Sequence, residues 1–268
     1  MSQKRSLALL CDYGLDDMVA TLYLLDHAAL FNTIDILPIA GNFTEETSAR
    51  NARRILTHCP NRPENVRLVD TAAVPQHGEP IPNIHGNDGI GDFLPLVPDT
   101  VPEGVPFLSY SEWLKDVDEH YTIVSLGPCT VTQDILKKKG ALPLVMMAGN
   151  VAEPPNFNGR EFNHALDVDA FAACVAFPHV TATLDSCHHP LTDFYHITPD
   201  GNDLLCRAVA AAVSLARHRG ESTCRIYDLL TAVYLVHPDR FAVREDIDPD
   251  GNRLSYLAYL DSRPLIGR

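Results

Sequence analysis

The segment Leu7-Ala-Leu-Leu-Cys11-Asp12-Tyr13-Gly14-Leu15-Asp16-Asp17-Met18-Val19-Ala20 decides how this chain is read. Its first five residues are an apolar run with the character of a buried strand. A run carrying Val19, Leu22, Leu24 and Leu25 follows and has the spacing of a helix. Between them lie Asp12, Asp16 and Asp17. Carboxylates packed at one strand-to-helix junction repel one another unless something positive sits among them. A helix N-terminus supplies only about half a charge. A hard divalent cation takes carboxylate oxygens by preference and would accommodate all three. The plainer alternative makes Asp16 or Asp17 an N-cap and Asp12 a solvated loop residue. This segment by itself leaves both open.

Outward from it, the pattern alternates. Strand-like runs at 7–11, 34–40, 66–69, 121–126, 142–148 and 180–184 are separated by helix-like runs at 16–29, 45–58, 130–138, 167–177 and 203–217. Such alternation predicts an α/β protein with a mostly parallel central sheet flanked by helices, in the manner of a Rossmann-like open sheet. No repeat and no shift in composition divides the chain, so residues 1–268 read as one domain. Two Pro- and Gly-rich stretches, 75–106 and 152–160, break the rhythm. Loops of that length in a compact domain are usually binding loops or lids.

In an open parallel sheet, ligands bind beyond the carboxyl ends of the strands. The first strand ends at Asp12 and the second at Gly41-Asn42. The strand from Tyr121 ends at Leu126-Gly127-Pro128, and the one from Leu142 at Gly149-Asn150. Asn42 alone would be a turn residue and Gly127-Pro128 alone a strand terminator. Their convergence on one edge is the stronger signal.

Composition excludes some partners. A net charge of −14 disfavours nucleic acid and anionic membrane surfaces, which repel it, and leaves neutral or cationic small ligands. No apolar stretch is long enough to span a bilayer, and the start of the chain is a poor secretory signal. The seven cysteines are odd in number and lack CxxC spacing, so they read as reduced thiols of a cytoplasmic protein. Cys187-His188-His189 has no second cluster beside it and reads as structural.

Taken in order, the motifs resemble the nucleoside hydrolases, calcium-dependent N-ribohydrolases. The family's opening pattern, Asp-x-Asp-Pro-Gly-x-Asp-Asp, is matched by Asp12-Tyr-Gly14-Leu-Asp16-Asp17. The match continues at Ala40-Gly41-Asn42, Asn51-Ala52 and His85-Gly86-Asn87-Asp88-Gly89-Ile90-Gly91. It goes on at Leu126-Gly127-Pro128-Cys129-Thr130, Met147-Ala148-Gly149-Asn150 and Glu161-Phe162-Asn163, and ends at Tyr227-Asp228. It fades after about residue 240. The resemblance implies cleavage of an N-ribosidic bond, with inversion, by water that a Ca²⁺ ion acidifies and positions. It makes Asp12, Asp17, Asp228 and the Leu126 carbonyl look like ligands of that ion, with Asp12 also general base. Asp16, Asn42, Asn150, Glu161 and Asn163 look like ribose binders, with His85 on a loop approaching the site and Asn156 or Asn158 supplying a further amide. Leaving a ribose hydroxyl unpaired on burial costs about 1–3 kcal/mol, which is why such a site is dense in acceptors. In a strand, Glu161 and Asn163 would share a face. Family members usually assemble as dimers or tetramers, so a homo-oligomer is expected, with a place in purine or pyrimidine salvage.

Four positions depart from the pattern. Leu10 stands in place of the first aspartate and Ala148 in place of a glycine. Tyr13 replaces the proline, which would bring its ring or hydroxyl toward the ribose. Tyr227 replaces a histidine associated with protonating the leaving base. A phenol with pKa ~10 is a feebler acid than an imidazole near 6.5, though it can donate a hydrogen bond or stack on a base. The substitution leaves several readings open: a purine preference with activation from elsewhere, an unusual N-riboside, weak activity, or an aromatic filler at the start of a helix carrying Leu229, Leu230 and Val233. His164, His188, His189 and His196 are all available as substitutes.

The leading expectation is therefore an N-ribohydrolase, and the alternative a nucleoside- or ribose-binding protein with little turnover. A phosphoryl-transfer enzyme using Asp12 as nucleophile would want an aspartate where Gly14 stands. A dinucleotide enzyme would want a glycine fingerprint that the sequence lacks.

Overall fold

A computed structural model of the chain describes residues 4–74, 76, 78, 84–197 and 201–266. Part of the proline-rich 75–106 stretch, residues 75, 77 and 79–83, lies outside the described residues. The strands are β1 Ser6–Cys11, β2 Ile34–Pro38, β3 Val66–Asp70, β4 Phe107–Ser109, β5 Tyr121–Ser125, β6 Leu144–Met147, β7 His179–Ala182, β8 Phe241–Ile247 and β9 Arg253–Tyr259. The helices are α1 Leu15–Asp26, α2 Glu45–His58, α3 Tyr110–Asp116, α4 Thr130–Lys139, α5 Phe162–Leu166, α6 Val168–Val175, α7 Leu184–Cys187, α8 Leu204–His218 and α9 Tyr227–Val236.

The strands form one sheet in the order β4-β3-β2-β1-β5-β6-β7-β9-β8. Every pairing is parallel except the β8–β9 hairpin at one edge. Central β1 is buried along its whole length because helices cover both faces, as its unbroken apolar sequence requires. Alternate residues face opposite sides. Leu7, Leu9 and Cys11 join the core beneath α1, α2, α8 and α9, while Ala8 and Leu10 join the core beneath α3, α4 and α6. Leu10 is thus wholly apolar in its setting. The chain runs from β1 outward to β2 on one side and later resumes with β5 on the other. The switch in direction opens a crevice at the carboxyl ends of β1 and β5.

Several elements lie outside the sequence reading. Strand β4 and helix α3 sit just past the proline-rich stretch, and β8–β9 occupies the C-terminal region. The run read as a strand over 180–184 splits: β7 stops at Ala182, and Thr183 caps α7 by accepting the Ser186 N–H. No helix among the described residues is long and apolar enough to cross a membrane. None of the seven cysteines, all of them among the described residues, forms a disulfide.

One buried polar group ties the far side of the sheet together. Asp35 on β2, fully buried, accepts two hydrogen bonds from Arg67 at 2.7 Å each, one from Trp113 Nε1 at 2.8 Å and one from the Tyr121 hydroxyl at 2.9 Å. Removing one partner of a buried ion pair strands the other charge and costs about 3–5 kcal/mol. Asp35→Ala is accordingly expected to lower stability by about that much in urea unfolding. A loss below about 1 kcal/mol would show that the cluster adds nothing net.

Candidate active site

Asp12 leaves β1 at the crevice and is fully buried. Its Oδ2 accepts the Asn42 N–H at 2.6 Å and its Oδ1 the Asn42 side-chain amide at 3.1 Å, so the end of β2 grips the carboxylate from both sides. The Ser48 hydroxyl of α2 donates to the Asp12 carbonyl at 2.9 Å. Glycine is required at position 41: a Cβ there would collide with the Asp12 carboxylate. Tyr13 then turns the chain with φ of +41°, a value closed to proline. The ring is fully buried in the core and does not line the cavity, so it does not reach toward the ribose position.

Gly14 caps α1, which places Asp16 and Asp17 inside the first helical turn and removes the reading of either as N-cap. Asp17 Oδ2 accepts the Gly14 N–H at 2.8 Å, while Asp17 Oδ1 and Asp16 Oδ1 are buried without a hydrogen-bond partner. Asp228, in the first turn of α9, arrives from the far end of the sequence because α9 packs on α1. Oxygens of Asp16, Asp17 and Asp228 lie within 4.8 Å of one another. Burial first, then mutual repulsion, pushes the Asp17 and Asp228 carboxyls well above the usual range. Burial lifts Asp12 to about 6, against the pull of the Asn42 N–H.

These observations fit a divalent cation. Four acidic groups meet, two of their oxygens are orphaned, and none of the four pairs with a lysine or arginine among the described residues. The most tightly grouped oxygens are those of Asp16, Asp17 and Asp228. Both oxygens of Asp12 already accept from Asn42.

Above this floor opens a cavity of about 430 Å³. Asp16, Asn42, His85, Leu126, Asn156, Glu161, Asn163, Tyr227 and Asp228 all line it, from every quarter of the sequence. Glu161 and Asn163 do not share a strand. Glu161 caps α5, accepting N–H groups from Asn163, His164 and Gly149 at 2.9, 3.0 and 2.9 Å. Burial raises it to about 7. The Asn163 amide donates to the carbonyls of Leu126 and Met147, at 3.1 and 2.9 Å, joining the ends of β5 and β6. Asn150 stands apart: its amide donates to the Glu153 carbonyl at 2.9 Å and it does not line the cavity. Asn158 takes φ of +42° in the neighbouring turn and is also outside the lining.

His85 is held by α1 and α2. Its Nδ1 accepts the Leu15 N–H at 3.1 Å, which leaves Nε2 as the protonated nitrogen of a neutral ring. Burial lowers its pKa and favours that neutral form. Arg54 pairs with Asp88 at 2.8 Å and the Asn51 amide donates to the Asp88 carbonyl at 2.9 Å, anchoring the glycine-rich loop that carries His85.

The structure separates the four spare histidines. His188 Nε2 lies 3.5 Å from the Tyr227 hydroxyl, and its Nδ1 lies 2.8 Å from Glu153. His164 stacks on Phe171, His189 on Tyr259, and His196 packs against Tyr195. Cys187, His188 and His189 thus serve separate neighbours. Burial lifts the Tyr227 phenol to about 12. Sequence reasoning missed the outer wall, including Arg219, Glu221 and Arg225. Residues 223–228 line the cavity without a break, so no alternation marked them out in the sequence.

The open parallel sheet thus carries an acidic cleft at its switch point, and the family match places the chain in the nucleoside hydrolase class. Residues 7–255 match the family described as inosine-uridine preferring nucleoside hydrolase, and the chain belongs to that family as an N-ribohydrolase. The match runs past residue 240, through most of the terminal hairpin. Among solved structures, a purine-preferring ribonucleoside hydrolase from Gardnerella vaginalis is 21% identical with a TM-score of 0.68, covering 94% of this chain and 88% of that one. A plant nucleoside hydrolase is 18% identical with a TM-score of 0.70, covering 99% and 92%. An inosine-guanosine nucleoside hydrolase is 18% identical with a TM-score of 0.71, covering 96% and 87%. At these identities the likeness is one of fold. No curated protein matches the chain by sequence.

The raised carboxyls fix the sign of a pH effect. A carboxyl whose pKa is higher folded than unfolded adds stability below its unfolded value and loses it as pH climbs through the folded one. For Glu161 that window runs from the usual value near 4.5 to about 7, and for Asp12 from 3.8 to about 6. The metal-free protein should melt progressively lower between pH 5 and pH 8. A divalent cation at 100 times its pH 8 Kd should restore about 2.7 kcal/mol there, or roughly 5–10 °C, and the same concentration should restore less at pH 5. A cation effect that is absent, or independent of pH, would overturn the metal assignment.

Proposed function

We propose that the enzyme hydrolyses the N-ribosidic bond of a nucleoside, with inversion, using a Ca²⁺ ion held by the Asp12, Asp17 and Asp228 carboxylates and the Leu126 carbonyl. When bound, such an ion polarises water and lowers its pKa, less strongly than zinc would. The observation that carries this reading is the set of buried, unpaired carboxylates on the floor of the cavity.

The chain's own residues supply the rest. Asp12, ionised above pH 6 and steadied by Asn42, takes the proton of the attacking water. Asp16 and Asn42 accept from and donate to the ribose 2′,3′-diol, while Glu161, Asn163 and Asn156 take the remaining 5′-hydroxyl from the opposite wall. His85 offers Nε2–H over the same space. As the C1′–N bond breaks, its electron pair goes to the base. The Tyr227 hydroxyl then gives the base its proton and regains one through His188. The sum is riboside plus water to ribose plus neutral base. With this reading goes a cytoplasmic homo-oligomer, dimer or tetramer, serving nucleoside salvage. The net charge of −14 supports a partner set without nucleic acid or membrane.

A panel of nucleosides assayed for released ribose, with and without EDTA, tests the reading. Turnover should appear with at least one nucleoside and vanish on chelation. Asp12→Ala should lower kcat by about 10²–10⁴-fold with the fold intact by circular dichroism. A mutant with normal turnover removes Asp12 as base.

Tyr227→Phe should lower kcat at least about tenfold with KM little changed, since a lost proton donor acts on the transition state. If kcat is untouched, the phenol does not deliver the proton.

A further inference from the structure

We infer that Arg225 receives the edge of the departing base, and that it selects bases presenting two adjacent hydrogen-bond acceptors, the 6-oxopurines, over 6-aminopurine. The inference rests on the N-ribohydrolase reading of the cavity and names its substrate class.

Two arginines among the described residues line the cavity. Arg219 is committed: it forms a fork with Glu221 at 2.7 and 3.0 Å. Arg225 is not. Among the described residues its one side-chain hydrogen bond runs from Nη1 to the Thr223 hydroxyl at 3.0 Å, a neutral acceptor. Among the described residues its Nη2 has no acceptor and no carboxylate pairs with the head group, while the Nε is packed away from both solvent and cavity. A guanidinium does not lose its proton, so the charge stays in the wall. A half-buried cation left with idle donors calls for an explanation, and a ligand supplies one.

Its position says which part of the ligand. The floor, with Asp16 and Asp228, and the Glu161 wall are acidic and suit ribose hydroxyls. Arg225 sits beside Tyr227, and its positive charge draws the phenol down against the effect of burial. The base therefore lies over Tyr227, within reach of the guanidinium. As the C1′–N pair moves onto the base, negative charge spreads to the ring nitrogens and any exocyclic oxygen. Arg225 meets that charge with N–H donors and transfers no proton, so it complements Tyr227 rather than replacing it. Paired donors match an edge carrying O6 and N7, whereas a 6-amino group would set donor against donor.

The experiment compares kcat/KM for inosine, guanosine, adenosine, inosine 5′-monophosphate and 4-nitrophenyl riboside, in the native enzyme, Arg225→Gln and Arg225→Lys. Melting temperatures of all three proteins verify folding. The native enzyme should favour inosine and guanosine over adenosine by about 10–100-fold. Arg225→Gln should bring that ratio within about threefold, with the loss falling on the oxopurines. The nitrophenyl riboside, whose leaving group is already stable as an anion, should lose far less. Arg225→Lys should recover part of the oxopurine rate but not the preference. A preference that survives Arg225→Gln overturns the inference. So does an equal loss on every substrate, or a monophosphate that is the best substrate and suffers most. If no riboside is cleaved by the native enzyme, the hydrolase reading fails on its own. Calorimetric Kd values for hypoxanthine and adenine then judge Arg225 separately: tighter hypoxanthine binding that disappears in Arg225→Gln supports it, and equal binding overturns it.

Discussion

Four carboxylates, from Asp12, Asp16, Asp17 and Asp228, are drawn into one buried place where, among the described residues, none has an arginine or lysine to answer it. Concentrating like charge away from water is among the least favourable things a fold can do. It persists only when the surrounding structure over-determines it. Much of the architecture around the crevice can be understood as that over-determination. Asn42 holds Asp12 with two donors, the Gly14 N–H holds Asp17, and α9 packs along α1 to bring Asp228 into range. A bare glycine at position 41 lets the β2 end close on Asp12.

The same constraint explains why the cavity is two-sided. Its floor repels anions and favours polyhydroxylated or cationic groups. The wall formed ahead of α9 carries the arginines, one neutralised by Glu221 and the other uncommitted. A molecule with a neutral sugar at one end and an incipient anion at the other lies naturally along that gradient. Fold alone would not have said so, since open α/β sheets host many chemistries. The charge pattern of this particular cleft is what narrows the choice.

The alternation of strands and helices was legible because the central strands are apolar on both faces. The helical reading over 45–58 coincides with α2, whose Thr44 cap and acidic first turn announce it. Convergence at the strand ends was legible too, because Asp12, Asn42 and Leu126-Gly127 each follow a readable strand. What escaped had weaker local signatures. Strand β4 has three residues behind a run of prolines. Strand β8 lies at the sheet edge, where Arg244-Glu245-Asp246 is charged rather than alternating. Helix α5 was mistaken for extended chain because its cap is a glutamate, an uncommon choice next to Ser, Thr, Asp or Asn. Asn150 looked like a site residue by its place after β6, but a local bond to the Glu153 carbonyl turns it aside. The outer wall lay hidden in an irregular segment with no periodicity to expose it.

The Asn163 amide bridges two main-chain oxygens, those of Leu126 and Met147, while Glu161 two residues earlier receives the backbone of Gly149. One short helix thus staples the tips of β5 and β6 together and sets the spacing between the two halves of the cleft. The two halves are therefore not free to adjust independently. Movement of the Leu126 oxygen by even a fraction of an ångström pulls on the amide that anchors α5. On the proposed reading, a grip on an ion and a grip on a pentose would share a mechanical linkage, one felt at the other through a single asparagine.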